Sequence, residues 1–137
     1  MFIINQILFL LITIFSAKSE QYATYPYRVG DVPHGKENGL FHKWGAAMMF
    51  TIQTAMAFGF GKGYLEYGLL FLLNGFIYWM LFDALYSLFI GQKWYYLGTT
   101  AATDITLKKI FGKNAGKGKF LTCLILIIFL NILKYIL

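Results

Sequence analysis

Four apolar runs, at 2–17, 41–60, 65–90 and 120–137, take up more than half of this 137-residue chain and leave it little prospect of folding in water. A membrane span needs about 20 predominantly apolar residues, because an α-helix rises 1.5 Å per residue and the hydrocarbon core is about 30 Å thick. The second and third runs meet that length. The first and fourth fall slightly short and cross only with snorkelling ends or a thinned bilayer. Lipid supplies no partner for an unpaired backbone amide, so each span is expected to be a helix. Composition agrees: 58% of residues are hydrophobic and 13% charged, where soluble domains hold about 45–50% and about 25%. The fold expected is an all-α integral membrane bundle of four helices, or three if the first is a cleaved signal peptide. A short amphipathic helix at the interface is expected beside them.

Basic residues orient the bundle. If all four runs cross, segments 18–40 and 91–119 share one face with Lys18, Arg28, Lys36, Lys43, Lys93, Lys108, Lys109, Lys113, Lys117 and Lys119. The opposite face keeps Lys62 and Lys134. Such a bias marks the cytoplasmic side, so both termini are expected outside a cell inner membrane. A signal peptide is the other reading of residues 1–19, because Ala17-Lys18-Ser19 resembles a small-x-small cleavage site. The run lacks a basic n-region, however, and its removal would reverse the charge bias. A retained first helix is therefore expected.

Polar residues inside apolar runs are costly and become the candidates for function. In the third helix Asn74, Gly75, Tyr78, Trp79, Asp83, Tyr86 and Ser87 make one side polar. Asp83 is the most expensive of them, about two turns or roughly 10 Å inside the cytoplasmic end. An antiparallel second helix brings His42 and Lys43 nearest to it, followed by Gln53 and, on its own helix, Tyr86. Asp83 either locks packing or serves a site. Ala47, Thr51, Ala55 and Gly59 recur every four residues on the second helix and form a ridge that lets helices approach closely. Packing on the third helix is the simpler use of that ridge, and a homo-oligomer seam is the other.

The segment 91–119 opens on an interfacial aromatic cluster, Trp94-Tyr95-Tyr96. Thr99, Thr100 and Thr103 offer caps for a short helix through Phe111 that could lie in the interface plane. Residues 112–119 read as a flexible basic linker. Lys108, Lys109, Lys113, Lys117 and Lys119 are expected to meet anionic lipid headgroups. Nucleic acid is a poorer match, since eleven of the twelve basic residues are Lys and no nucleic-acid-binding motif is present. No cofactor motif occurs, and no metal site is expected: His34, His42, Asp83 and Asp104 have no helical ligand spacing. Cys123 is alone.

Phe82-Asp83-Ala84-Leu85-Tyr86, then Tyr96-Leu97-Gly98-Thr99-Thr100 and Asp104, resembles short uncharacterised multi-pass membrane proteins of Bacteroidota and their phages. The resemblance covers roughly the third quarter of the chain and implies no activity. It groups Asp83, Tyr96, Gly98, Thr99, Thr100 and Asp104 as one unit, in which Gly98 turns the chain and threonine hydroxyls donate to a carboxylate. Three functions then compete. The leading one is a non-enzymatic structural or accessory membrane protein, phage-encoded if the resemblance holds, acting on lipid, on a membrane partner or as a homo-oligomer. The second is a holin-like pore former. The third is a small membrane enzyme or transporter subunit using Asp83 and His42.

Overall fold

A computed structural model describes residues 2–24, 36–97 and 102–136, with side chains described for these except within 21–44 and at 102. The described residues are almost all helical. In chain order they form α1 (Phe2–Thr24), α2 (Lys36–Phe60), α3 (Tyr64–Phe89), α4 (Ala102–Phe111) and α5 (Ala115–Ile136). A single 3-10 turn, Gly112–Asn114, joins α4 to α5. Four long helices and one short one match the expected architecture. Three stretches are long and apolar enough to cross a membrane: Phe2–Glu20, Tyr64–Phe89 and Thr103–Ile136. The apolar part of α2, Gly45–Phe60, is shorter.

The central helix is α3, which packs against α1, α2 and α5. The direction of each neighbour follows from its paired side chains. Asn5 meets Asn74 near the start of α1, and Lys18 lies over the Phe89 ring at its far end. The two helices therefore run parallel. Lys134 meets Glu66 while Lys119 meets Asp83, so α5 runs antiparallel to α3. Phe9, Met49, Leu69, Leu73, Ile77 and Leu130 form the buried core where these helices converge.

The bundle is apolar outside and partly polar inside. Asn5, Thr13, Asn74 and Ser87 are buried, while Ile7, Phe15, Phe50, Leu121, Ile125 and Phe129 are exposed. Water would drive the reverse arrangement. Lipid permits this one, because exposed aliphatic groups cost nothing there and polar groups must find partners among the helices.

Local chemistry sets the ends of α3. Gly61-Lys62-Gly63 turns the chain, and Glu66 in the first turn accepts the Lys62 backbone N–H at 2.8 Å. A carboxylate there also complements the helix dipole. At the other end the Gly91 N–H donates to the Leu88 carbonyl at 3.0 Å and the Gln92 N–H to the Ser87 carbonyl at 2.8 Å. This is a Schellman ending, and it puts Gly91 at φ +74°, a conformation that favours glycine.

Three expectations need correction. First, α1 extends to Thr24, α2 begins at Lys36 and α5 at Ala115, all beyond the apolar runs. Hydropathy marks where lipid ends, and backbone hydrogen bonding carries the helix further. Second, 112–119 is no flexible linker but a 3-10 turn and the first turn of α5. Its glycines are contact points: a Cβ at Gly116 would overlap the Tyr95 carbonyl oxygen, and one at Gly118 would press on the Phe111 ring. Third, Ala47, Thr51, Ala55 and Gly59 are all exposed, so the ridge does not pack on α3. Instead α2 buries Met49 and Ala57, with Ile52 and Met56 partly covered. These side chains cover more area than a small-residue face, and α3 offers its own recess at Gly75, where the Gln53 amide sits.

Candidate functional site

The charged and polar groups of the bundle lie in three layers along α3. At one end Asp83 projects toward α5 and receives the Lys119 ammonium in an ion pair. Lys119 is 4% exposed and its Nζ also sits 4.9 Å from the centre of the Trp79 ring, one helical turn before Asp83. Asp83 is 39% exposed, so the carboxylate keeps contact with the surroundings while the ammonium does not. The chain leaving α3 roofs the pair. Trp94 packs edge-on against Phe120 with centroids 5.1 Å apart, and Trp94, Tyr95 and Leu97 line a cleft with Asp83, Gly116 and Lys119. Gly116 admits this roof because it carries no Cβ.

At the other end Glu66 accepts from Lys134 Nζ at 2.8 Å. Lys134 also lies over the Phe2 ring at 5.9 Å, which brings the start of α1 to the same level. From residue 66 to 83 is about 25 Å along α3, and from 119 to 134 about 22 Å along α5. The two ion pairs thus bracket a slab close to the thickness of a bilayer's hydrocarbon core. Both carboxylates belong to α3 and both ammoniums to α5.

Between the pairs lie side-chain amides. Asn5 Nδ2 donates to Asn74 Oδ1 at 2.8 Å and Asn74 Nδ2 returns a bond to Asn5 Oδ1 at 3.4 Å, with both residues fully buried. Gln6 donates to Asn131 Oδ1 at 2.8 Å, and Asn131 donates onward to the Ile127 carbonyl at 2.8 Å. Gln53 donates to the Phe71 carbonyl at 2.5 Å, joining α2 to α3. Among the described residues no buried side-chain nitrogen or oxygen lacks a partner.

These positions revise the sequence-based list. Asp83 is paired as expected of a membrane carboxylate, but by Lys119. The side chains of His42 and Lys43 lie outside those described. Gln53 and Asn74 each hold another helix, and Tyr86 continues an aromatic ladder with Phe82 and Tyr78 along α3. Lys119 is not a headgroup ligand, because it is buried against Asp83 and Trp79. Lys108, Lys109, Lys113 and Lys117 remain exposed. Gly98, Thr99 and Thr100 lie outside the described residues. Asp104 is buried on α4, which among the described residues packs on α5 and the intervening turn. Glu66 and Lys134, Asn5, Gln6 and Asn131 escaped the sequence reading. Opposite charges at matched spacing on two antiparallel spans were the signal for the first pair.

Among the described residues no group of three or more His, Cys, Asp or Glu is placed to hold a metal ion. Chemically the arrangement does one thing well: it fixes register. The two ion pairs join α3 to α5, and the amides join α1 to α3, α1 to α5 and α2 to α3, each at a set depth. Comparison with protein-family models, curated proteins and solved structures finds no match for this chain.

Proposed function

We propose that this chain is a small multi-pass membrane protein with a structural or accessory role, acting through its shape, its lipid contacts and a membrane partner rather than through chemistry. The observation that carries this reading is the use made of Asp83. Its carboxylate is bound to Lys119 of another helix, and the same helix pair repeats the motif at Glu66 and Lys134. Two ion pairs of identical polarity at the two ends of one helix pair act as a register device, the best-attested role of partly buried charge. In this reading the end carrying Lys93, Lys109, Lys113 and Lys117 faces the cytoplasm of an inner membrane and both termini lie outside, in keeping with the bias of basic residues. Origin in a phage of Bacteroidota stays a proposal resting on the run from Phe82 to Asp104.

The test is a charge swap. A chain carrying Asp83→Lys with Lys119→Asp is expected to recover the thermal stability and monodisperse elution that either single change removes. It is also expected to keep whatever effect the wild-type gene has in its host. Recovery of folding with loss of that effect would assign Asp83 a chemical role and overturn the proposal.

A second reading is favoured by one observation. The exposed ridge Ala47, Thr51, Ala55 and Gly59 offers a close-packing face that the monomer leaves unused. A pore-forming or other oligomer would use it. Thr51→Cys in a Cys123→Ala background should then cross-link two copies in native membranes, and purified protein should release dye from vesicles if the oligomer is a pore. Monomer under oxidising conditions and intact vesicles would exclude it.

A further inference from the structure

The end of the bundle beyond the Asp83–Lys119 pair carries a dense basic surface, and the structure shows what organises it. Tyr95 is the centre. Its backbone rests on Gly116, and two ammoniums flank its ring: Lys117 Nζ at 5.0 Å and Lys93 Nζ at 5.9 Å from the centroid. Tyr95 thus holds two ammoniums at one point of the surface. Trp94 and Tyr96, on either side of Tyr95, are both exposed amphipathic aromatics. On the other side of α5's first turns, α4 and the 3-10 turn present Lys109 and Lys113 beside exposed Ile105 and Ile110. Lys108 already has a partner within the chain, and Asp104 is buried, so the cationic surface is not cancelled by a neighbouring exposed carboxylate on α4.

We propose that this surface docks on the headgroups of anionic phospholipids, with Lys93 and Lys117 around Tyr95 as the primary phosphate contact and Lys109 and Lys113 as the flanking one. The proposal rests on the membrane reading above and names the lipid class that one face selects. Charge complementarity carries it. The excess of basic groups lies at the level where the apolar run of α5 begins, and a lipid phosphate stands at that level in a bilayer. Trp and Tyr fix depth at the headgroup boundary, where one end of each ring is apolar and the other wet. Ile105 and Ile110 add exposed apolar groups on either side of Lys109 on α4, whose long stem can lie along them while its ammonium reaches the phosphates. A soluble anion would use the lysines and leave these four side chains without a purpose. A nucleic acid would leave the isoleucines facing water.

The test titrates the detergent-purified full chain with phosphatidylglycerol or phosphatidylcholine in mixed micelles and counts bound lipid by native mass spectrometry. Phosphatidylglycerol is expected to be retained in preference to phosphatidylcholine. Each lysine near the surface contributes about a fivefold factor, so K93Q, K113Q and K117Q together should weaken phosphatidylglycerol binding by about a hundredfold. The corresponding triple Arg variant should keep most of the binding, and Lys62→Gln on the opposite face should change nothing. Equal retention of the two lipids overturns the proposal, as does a triple Gln variant that is helical by circular dichroism and binds as well as wild type. Displacement of the lipid by inorganic phosphate would mean a free-anion site, and displacement by an oligonucleotide a nucleic-acid surface. If the charge-swapped chain loses its function while lipid selection persists, the structural reading fails and this inference stands. The converse outcome separates them as cleanly.

Discussion

Removing either member of the Asp83–Lys119 pair should cost different amounts, and the difference follows from exposure. Asp83→Asn leaves the 4% exposed Lys119 ammonium without a counter-charge among the described residues, beside the Trp79 ring and a neutral amide. An uncompensated buried charge costs about 3–5 kcal/mol, and the cation–π contact and a snorkelling stem bring this to about 3 kcal/mol. Lys119→Met leaves the Asp83 carboxylate, which at 39% exposure can hydrate at the membrane surface. That loss is closer to the value of a solvent-screened pair, about 1 kcal/mol. Asp83→Asn combined with Lys119→Met removes both charges and should cost less than Asp83→Asn alone, with a coupling of about 2 kcal/mol. The assay is reversible unfolding in mixed dodecyl sulfate micelles, followed by far-UV circular dichroism for wild type, both single variants and the double. Additive losses would refute the pairing. A Lys119→Met loss exceeding that of Asp83→Asn would refute the claim that the ammonium, not the carboxylate, is the desolvated partner.

Other positions give further expectations. Asn5→Leu and Asn74→Leu should each destabilise the bundle by about 1–2 kcal/mol by stranding the partner amide, whereas the double Leu variant should come back close to wild type in the same unfolding assay. Gly91→Ala should cost about 1 kcal/mol, since φ +74° brings a Cβ too near the following carbonyl; hydrogen exchange at Gln92 would report the loosened helix end. Gly116→Val should push the Tyr95 backbone off α5 and part the half-covered Trp94 from Phe120, read as a change of emission in a Trp44→Phe, Trp79→Phe background; an unchanged spectrum would mean the roof over Asp83 rests elsewhere. In a Cys123→Ala background, a Cys at 113 should resist an impermeant reagent in intact cells and one at 62 should react; the reverse pattern would invert the proposed orientation.

The helices were legible because apolar run length is a direct consequence of bilayer thickness, and even Phe2–Ala17, slightly short of a span, stands out as a helix. Their ends were not. Lys18 to Thr24 and Ala115 to Lys119 are helical without being apolar, and hydropathy says nothing about that. The same blindness hid the partner of Asp83. Glycines at 112, 116 and 118 mark a linker by composition, so Lys119 reads as part of a solvated charge run. In the folded chain Gly116 and Gly118 instead make room for Tyr95 and Phe111. The expectation for the Ala47–Gly59 ridge failed for a related reason: spacing of four puts residues on one face but does not say where that face points.

By itself, then, the sequence determined that the chain is helical, apolar enough for a membrane, and strongly basic in the segments between its apolar runs. These properties follow from counts and spacing along a single chain. Only the tertiary structure decided which helix neighbours which, that α3 is central, that α5 supplies lysines to both carboxylates of α3, and that Asn5 meets Asn74. Those choices depend on depth and rotation about each helix axis. A shift of one residue changes depth by about 1.5 Å and turns a side chain by about 100°, enough to part Lys119 from Asp83.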